Sequence, residues 1–174
     1  MIDKEYHTQE VEMMRKRENM VEKGSQEYYE RQVAMSRGTI LLVLCLTVLN
    51  LALLLVGSNT YLLFSASVPY YLTIMARGFD LAASGAVNRG YTWTALAFSA
   101  LVLGLYLLCW LLSKKNTKWL TVSLTLFAVD TICLALLCRF VFGGFTDSIM
   151  DFFMHAWVIY ELYVGIRAAR NLDE

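Results

Sequence analysis

The chain has 174 residues, of which 57% are hydrophobic and 17% are charged, and its mean hydropathy is +0.49. A soluble domain usually holds about 45–50% apolar residues, so this composition indicates an integral membrane protein. Fifteen basic and fifteen acidic residues give a net charge of zero, which lacks the basic excess that nucleic-acid binding requires. We therefore exclude nucleic acid as a partner and expect the lipid bilayer as the surroundings.

Residues 1–38 form a charged segment that precedes the first apolar run. Apolar or aromatic side chains recur in it every seven residues, at Met14, Val21, Tyr28 and Met35. This spacing predicts a charged amphipathic helix in the cytoplasm that associates with itself or docks a partner. A solvated, partly disordered tail is the alternative.

Four later runs are long enough to cross a hydrocarbon core, which needs about 20 apolar residues. The spans cover residues 39–62, 91–112, 119–142 and 147–167. The first two carry no charge, whereas the third contains Asp130 and Arg139 and the fourth contains His155 and Glu161. The sequence therefore predicts an all-α, polytopic four-helix transmembrane bundle over residues 39–167, followed by a short cytoplasmic tail over residues 168–174.

The segment at about 66–84, between the first two spans, is too apolar for an ordinary solvated loop and contains Pro69, the only proline. We expect a short amphipathic helix from about Tyr70 to Ala83 on the external side, lying in the interface or re-entering the membrane. A fifth span is the alternative, but Arg77 and Asp80 in its centre argue against it.

Basic residues in the connections predict the orientation, because short cytoplasmic loops are enriched in Lys and Arg. They precede the first span, follow the second span and follow the fourth span: Arg31, Arg37, Lys114, Lys115, Lys118, Arg167 and Arg170. With four spans these positions share one side, which predicts a cell-membrane protein with a cytoplasmic N-terminus and C-terminus.

Two stretches carry a resemblance, FSASVPYYL after the first span and HAWVIYELYVGI in the last span. Through them the chain is similar to small, uncharacterised multi-pass membrane proteins of bacteria, over about residues 40–167. The resemblance implies a multi-pass topology. Because those proteins have no established activity, it implies no chemistry.

Asp130 is the clearest candidate functional residue, because an ionisable group near the bilayer centre costs at least about 2.5–3.5 kcal/mol unless it is paired or lines a cavity. With a rise of about 1.5 Å per residue, Asp130 and His155 lie at similar depth on neighbouring antiparallel helices. We expect Asp130 to accept a hydrogen bond from His155, with Asn50 in the same layer.

The last span predicts one polar face, on which Asp151, His155 and Glu161 fall within a 120° arc at about 100° per residue. Together with Asn50 and Asp130, they form the candidate intramembrane cluster. Such groups either hold helices together or build a transport, proton-relay or ligand site.

A metal-dependent membrane enzyme is a further alternative, because Asp, His and Glu are metal ligands. However, the sequence contains no HExxH, GxSxG or GxxxxGK[ST] motif. We predict no catalytic residue, no metal ligand and no cofactor.

Three functions follow as hypotheses: a non-enzymatic accessory or scaffold subunit, a small-solute or proton-coupled transporter or channel, and a metal-dependent enzyme. Four spans leave little room for a solute path within one chain. A transporter of this size is expected to form a homo-oligomer or to join another membrane protein.

Overall fold

The computed structural model describes residues 24–58, 60–84, 90–141, 143–144 and 148–173. Within these residues all regular secondary structure is helical, as predicted, and no strand occurs. The five helices in chain order are α1 (Gln26–Leu55), α2 (Ser67–Ser84), α3 (Gly90–Ser113), α4 (Lys118–Phe140) and α5 (Ile149–Asp173).

Four of these helices, α1, α3, α4 and α5, are long and apolar enough to cross a membrane. They contain 30, 24, 23 and 25 residues, and a hydrocarbon core of ~30 Å needs about 20. The predicted number of long apolar helices is therefore confirmed for the described part of the chain, which is compatible with a multi-pass membrane protein.

The bounds of the first helix differ from the predicted span over residues 39–62. The helix ends at Leu55, because Gly57 adopts a φ of +82° and the chain then turns back. A positive φ carries no steric penalty at glycine, which suits it to this position. Residues 60–62, at the end of the predicted span, lie instead in the returning loop.

The first and last helices of the bundle both extend beyond the predicted spans. α1 begins at Gln26, so the second part of the segment predicted for residues 1–38 belongs to this helix, while residues 1–23 lie outside the described residues. α5 continues to Asp173, so most of the predicted tail over residues 168–174 is helical.

The connections define two ends of the bundle. We call the end where residues 114–117 join α3 to α4 the lysine end, and the end where α1 stops near Gly57 the glycine end. At the lysine end, the Arg37 guanidinium donates a hydrogen bond of 2.6 Å to the Ser113 carbonyl. α1 and α3 are therefore antiparallel, because the first half of α1 meets the last residue of α3.

Helices α1 and α5 approach closely where Ser36 faces Gly165. The Ser36 hydroxyl donates a hydrogen bond of 2.6 Å to the Glu161 carbonyl, and a Cβ atom built on Gly165 would lie 2.0 Å from the Ser36 Oγ atom. Only glycine fits there. This contact lies within the largest helix-to-helix interface of the bundle.

The hydrophobic core lies mainly towards the lysine end. Its largest fully buried side chains come from α1, α4 and α5: Val43, Leu120, Phe127, Leu134, Val158 and Leu162. Large apolar side chains such as Leu101, Ile132 and Phe153 are instead more than half exposed on the outside of the bundle. Such extensive apolar exposure is unusual for a soluble protein and suits contact with lipid chains.

Helix α2 begins deep in the bundle and runs to the glycine end. The Ala66 N–H donates a hydrogen bond of 2.8 Å to the Thr47 hydroxyl, two helical turns before α1 ends. Farther along α2, the Arg77 guanidinium donates to the Leu54 carbonyl at the carboxyl end of α1. The loop from Gly57 to Ala66 therefore returns alongside α1, and α2 comes back beside it.

Pro69 fits this arrangement because it lies in the first turn of α2, where a backbone N–H has no partner within its own helix. Asp80, near the other end of α2, accepts hydrogen bonds from the Tyr91 N–H, the Thr92 N–H and the Thr92 hydroxyl. It caps the amino end of α3 in this way. The two charges that argued against a fifth span, Arg77 and Asp80, thus each bind the end of a neighbouring helix.

Candidate functional site

Asp130 occupies the middle of α4 and is 5% exposed. Its carboxylate accepts hydrogen bonds from the first two N–H groups of α2, 2.8 Å from the Ser67 nitrogen and 2.9 Å from the Val68 nitrogen. The amino end of a helix carries a partial positive charge that favours an anion. Asp130 therefore caps α2 from a different helix.

His155 of α5 lies against the same carboxylate and is 2% exposed. Its Nε2 atom is 3.1 Å from Oδ2 of Asp130, and its Nδ1 atom is 2.7 Å from the carbonyl oxygen of Asp151. The ring stacks on Phe127, with 4.8 Å between centroids and 24° between planes. The structure thus brings together the two residues that the sequence placed at equal depth.

The partners of the two ring nitrogens of His155 indicate which of them carries a hydrogen. A backbone carbonyl only accepts, so Nδ1 of His155 donates its hydrogen to Asp151. A neutral imidazole has no second N–H, and Nε2 would then turn a lone pair towards Oδ2 of Asp130. The contact is favourable only if a second hydrogen lies between these two atoms.

Ser67 completes the immediate surroundings of His155, with its hydroxyl oxygen 3.3 Å from Nε2. This arrangement is not that of a nucleophilic triad, in which the acid binds the nitrogen opposite the serine. Here Asp130 and Ser67 face the same nitrogen. The geometry of the site therefore does not activate Ser67 for attack.

Asn50 binds the returning loop rather than the Asp130 carboxylate. Its side-chain amide donates to the Leu62 carbonyl and to the Ser65 hydroxyl, each at 2.7 Å. Its side-chain oxygen accepts a hydrogen bond of 2.8 Å from the Leu62 N–H. A buried asparagine with these partners satisfies the backbone of a loop that has no helical hydrogen bonds.

Asp151 lies one turn before His155, towards the glycine end, and is also buried. Its carboxylate accepts a hydrogen bond of 3.3 Å from the Tyr71 hydroxyl. Burial, with the charge of Asp151 as a smaller cause, raises the pKa of Tyr71 to about 12. Burial likewise raises the pKa of Tyr61 well above its ordinary value. Both tyrosines therefore keep their hydroxyl hydrogens at neutral pH.

Glu161 stands apart from this cluster. Its backbone carbonyl accepts the Ser36 hydroxyl, and its carboxylate forms no hydrogen bond with any residue that the structure describes. It follows His155 by six positions, which is ~9 Å along the helix. The polar face predicted for the last span is therefore divided, with Asp151 and His155 on one side and Glu161 nearer the lysine end.

Sequence reasoning missed the part of the site that the returning loop and the start of α2 contribute, namely Ser65, Ser67 and the N–H groups of Ser67 and Val68. The available signal was the run FSASVP, in which small polar residues interrupt an apolar stretch. Across the ranges for which the structure describes side chains, no three His, Cys, Asp or Glu residues come together as a metal-binding group.

The fold and the site define an all-helical protein with four long apolar helices and a buried carboxylate–imidazole pair at their centre. No protein family, curated protein or solved structure matches the chain. The geometry of this pair is therefore the feature of the molecule that bears on its function.

Proposed function

We propose that this chain is a small proton-coupled membrane transport protein in which Asp130 and His155 together bind the transported or coupling proton. The observation that carries the proposal is the distance of 3.1 Å between Nε2 of His155 and Oδ2 of Asp130, two atoms that attract each other only if a hydrogen lies between them. Histidine is the side chain whose ordinary pKa suits proton exchange at neutral pH. An ionisable pair near the middle of long apolar helices is typical of proton pathways.

The contact with α2 supplies a way to couple proton binding to a movement. Asp130 holds the Ser67 and Val68 N–H groups most strongly when it is an anion, because the amino end of a helix favours negative charge. A further proton that neutralises Asp130 weakens this hold. By linkage, a movement that withdraws α2 then changes the affinity of the pair for protons.

We also propose an orientation in the cell membrane, with both termini and the lysine end in the cytoplasm. The Lys and Arg residues at that end support it. In this orientation the loop after α1 and the first turn of α2 re-enter the membrane from outside. Their polar backbone groups are bonded by Thr47, Asn50 and Asp130, as a non-helical segment at membrane depth requires.

Cysteine labelling in intact cells tests the orientation. In a variant lacking the four native cysteines, a membrane-impermeant maleimide should label Thr60→Cys, which is exposed at the glycine end. It should label Lys115→Cys only after the cells are opened, although that position is equally exposed. The reverse pattern would contradict the proposed orientation.

Proton flux into reconstituted vesicles tests the function. Wild-type protein should carry protons in response to a potassium–valinomycin potential, reported by an internal pH dye. Asp130→Asn and His155→Gln should lower the flux at least about tenfold, because a positioned proton-transfer group usually contributes about 10²–10⁴-fold. Asp80→Asn is the matched control, because Asp80 also caps a helix but lies away from the pair.

Two results would count against the proposal. One is a wild-type flux no greater than that of protein-free vesicles. The other is an Asp130→Asn flux equal to that of the wild type in a sample whose helical circular dichroism is unchanged.

A second candidate function, an accessory or scaffold subunit, is favoured by the helix ends at the lysine end. α1 has 30 residues, or ~45 Å, and so exceeds a ~30 Å hydrocarbon core by about 15 Å. In this extension Val33 is buried, as are Ala168 and Ala169 at the end of α5. The two helices together form a platform on which another membrane protein or a second copy could dock.

Purification in a mild detergent separates this candidate from the first. An accessory subunit should elute with a stoichiometric partner or as a defined oligomer. A monodisperse monomer that still carries protons in vesicles would support transport and oppose the accessory role.

A further inference from the structure

Asp151 is joined to the Asp130–His155 pair by both its backbone and its side chain. Its carbonyl oxygen accepts the Nδ1 hydrogen of His155 at 2.7 Å, and its carboxylate accepts the Tyr71 hydroxyl at 3.3 Å. Asp151 is 6% exposed and begins the polar side of α5 at the glycine end. The pair therefore has an acidic neighbour in one direction along the bundle.

Tyr61 spans the distance between this acid and the pair. Its hydroxyl accepts a hydrogen bond of 3.3 Å from Ser65. Its ring lies 6.4 Å from that of Tyr71, which binds Asp151, and the Asp151 carboxylate and the Ser67 hydroxyl both influence the Tyr61 hydroxyl electrostatically. The Ser67 oxygen in turn is 3.3 Å from Nε2 of His155. A hydroxyl can accept and donate at once, and the Tyr61 and Ser67 hydroxyls lie between Asp151 and the pair.

The opposite direction, towards the lysine end, is lined differently. Val43, Phe127, Val158 and Leu162 are each at most 2% exposed and carry no polar side-chain atom. An apolar, close-packed layer of this kind holds neither water nor a relay.

Every element packed around the pair contributes polar or titratable side chains. The polar side chains from α1, Thr47 and Asn50, are neutral. Each of the other elements contributes a titratable group: Tyr61 from the loop before α2, Tyr71 from α2, Tyr106 from α3, Cys138 from α4 and Asp151 from α5. Of these, only Asp151 is a carboxylic acid.

We propose that Asp151 is the group through which the pair exchanges its proton with the glycine end, by way of the Tyr61 and Ser67 hydroxyls. This inference rests on the proposed function. It adds a direction to the proton exchange, because the described conformation connects the pair to the glycine end of the bundle and separates it from the lysine end by an apolar layer.

The proton balance of one uptake step is simple. Asp151, protonated from solvent, gives its proton to the Tyr61 oxygen while the Tyr61 hydroxyl proton passes to the Ser67 oxygen. The Ser67 hydroxyl proton passes to Nε2 of His155. Both hydroxyls end with one hydrogen each, Asp151 returns to a carboxylate, and the pair has gained one proton without any other reactant.

Exchange of the His155 ring hydrogen with water tests this path without requiring transport. The chain has two histidines, His7 and His155, so His7→Gln leaves a single ¹⁵N-histidine signal in lipid nanodiscs. Asp151→Asn and Tyr61→Phe should each slow exchange of the Nε2 hydrogen at least about tenfold. Tyr70→Phe is the matched control, because the Tyr70 ring lies 4.6 Å from that of Tyr61.

Unchanged exchange in both Asp151→Asn and Tyr61→Phe would overturn the proposed path. Tyr61→Phe removes one oxygen atom only, so it keeps the test decisive if Asp151→Asn does not fold. The vesicle flux reports separately on the proposed function. If exchange is slow in these variants but the wild type carries no protons, the path is supported and transport is contradicted. If the variants exchange at the wild-type rate but the flux depends on Asp130, transport is supported and the path is contradicted.

Discussion

The Nε2 atom of His155 lies 3.1 Å from Oδ2 of Asp130 and joins α5 to α4. The same carboxylate holds the first two N–H groups of α2. One side chain thus connects three helices, of which one begins in the middle of the bundle. The consequences can be measured at this pair and at the contacts that position it.

Asp130 and His155 should be energetically coupled. Removing one partner of a buried charged pair costs about 3–5 kcal/mol, so Asp130→Asn and His155→Gln should each lower stability, and their effects should not add. We expect a coupling energy of about 1 kcal/mol or more from a double-mutant cycle of reversible unfolding in mixed micelles. The matched cycle of Asp80→Asn with His155→Gln should be additive to within about 0.5 kcal/mol. Additivity in both cycles would show that the Asp130–His155 contact contributes nothing.

The ring of His155 should carry a hydrogen at both nitrogens, one of them shared with Asp130. In a His7→Gln sample at neutral pH, the ¹⁵N spectrum of His155 should therefore lack the signal of an unprotonated ring nitrogen. In Asp130→Asn that signal should appear, because an amide does not stabilise the second ring hydrogen as a carboxylate does. A wild-type spectrum with an unprotonated nitrogen would remove the main support for the proton-binding pair.

Gly165 should tolerate no larger residue. In Gly165→Ala the new Cβ would meet Oγ of Ser36 at 2.0 Å and Cβ of Ser36 at 2.4 Å, and overpacking of this kind costs about 1–3 kcal/mol. Thermal unfolding in detergent measures the loss. Gly104→Ala is the control, because a Cβ built there meets nothing within 4 Å. Adding Ser36→Gly to Gly165→Ala should restore part of the lost stability, and equal effects of the two alanine variants would contradict the close approach.

The cap that Asp80 forms on α3 should depend on pH. Burial raises the pKa of the Asp80 carboxyl, but the hydrogen bonds from Thr92 and Tyr91 outweigh burial and leave the pKa below its ordinary value. A carboxyl whose folded-state pKa is lowered stabilises the fold above its unfolded-state value of about 3.9. This stability is lost as pH falls through the folded-state pKa. The Tm of the wild type should therefore exceed that of Asp80→Asn at neutral pH, and the difference should shrink in acid; a difference that does not depend on pH would contradict the capping role of the charge.

The sequence allowed the pair to be anticipated but not its surroundings. Asp130 and His155 were placed at one depth from the helical rise alone, since 1.5 Å per residue holds in any α-helix. Rotation about a helix axis can also be counted from sequence, and this count places Glu161 on the same face of the last helix as His155. The angle alone does not give the distance along the helix axis. Because Glu161 lies six positions after His155, or ~9 Å along α5, it does not reach the pair.

The four long apolar helices were determined by the sequence itself, because length and hydropathy are local properties that a bilayer selects directly. The path of residues 57–66 back along α1, the capping of α2 by Asp130, and the bonds of Asn50 to Leu62 and Ser65 were decided only by the tertiary structure. These contacts join residues far apart in the chain, and each depends on the rotation and register of packed helices. The Asp130–His155 pair owes its depth to the sequence and its partners to the fold.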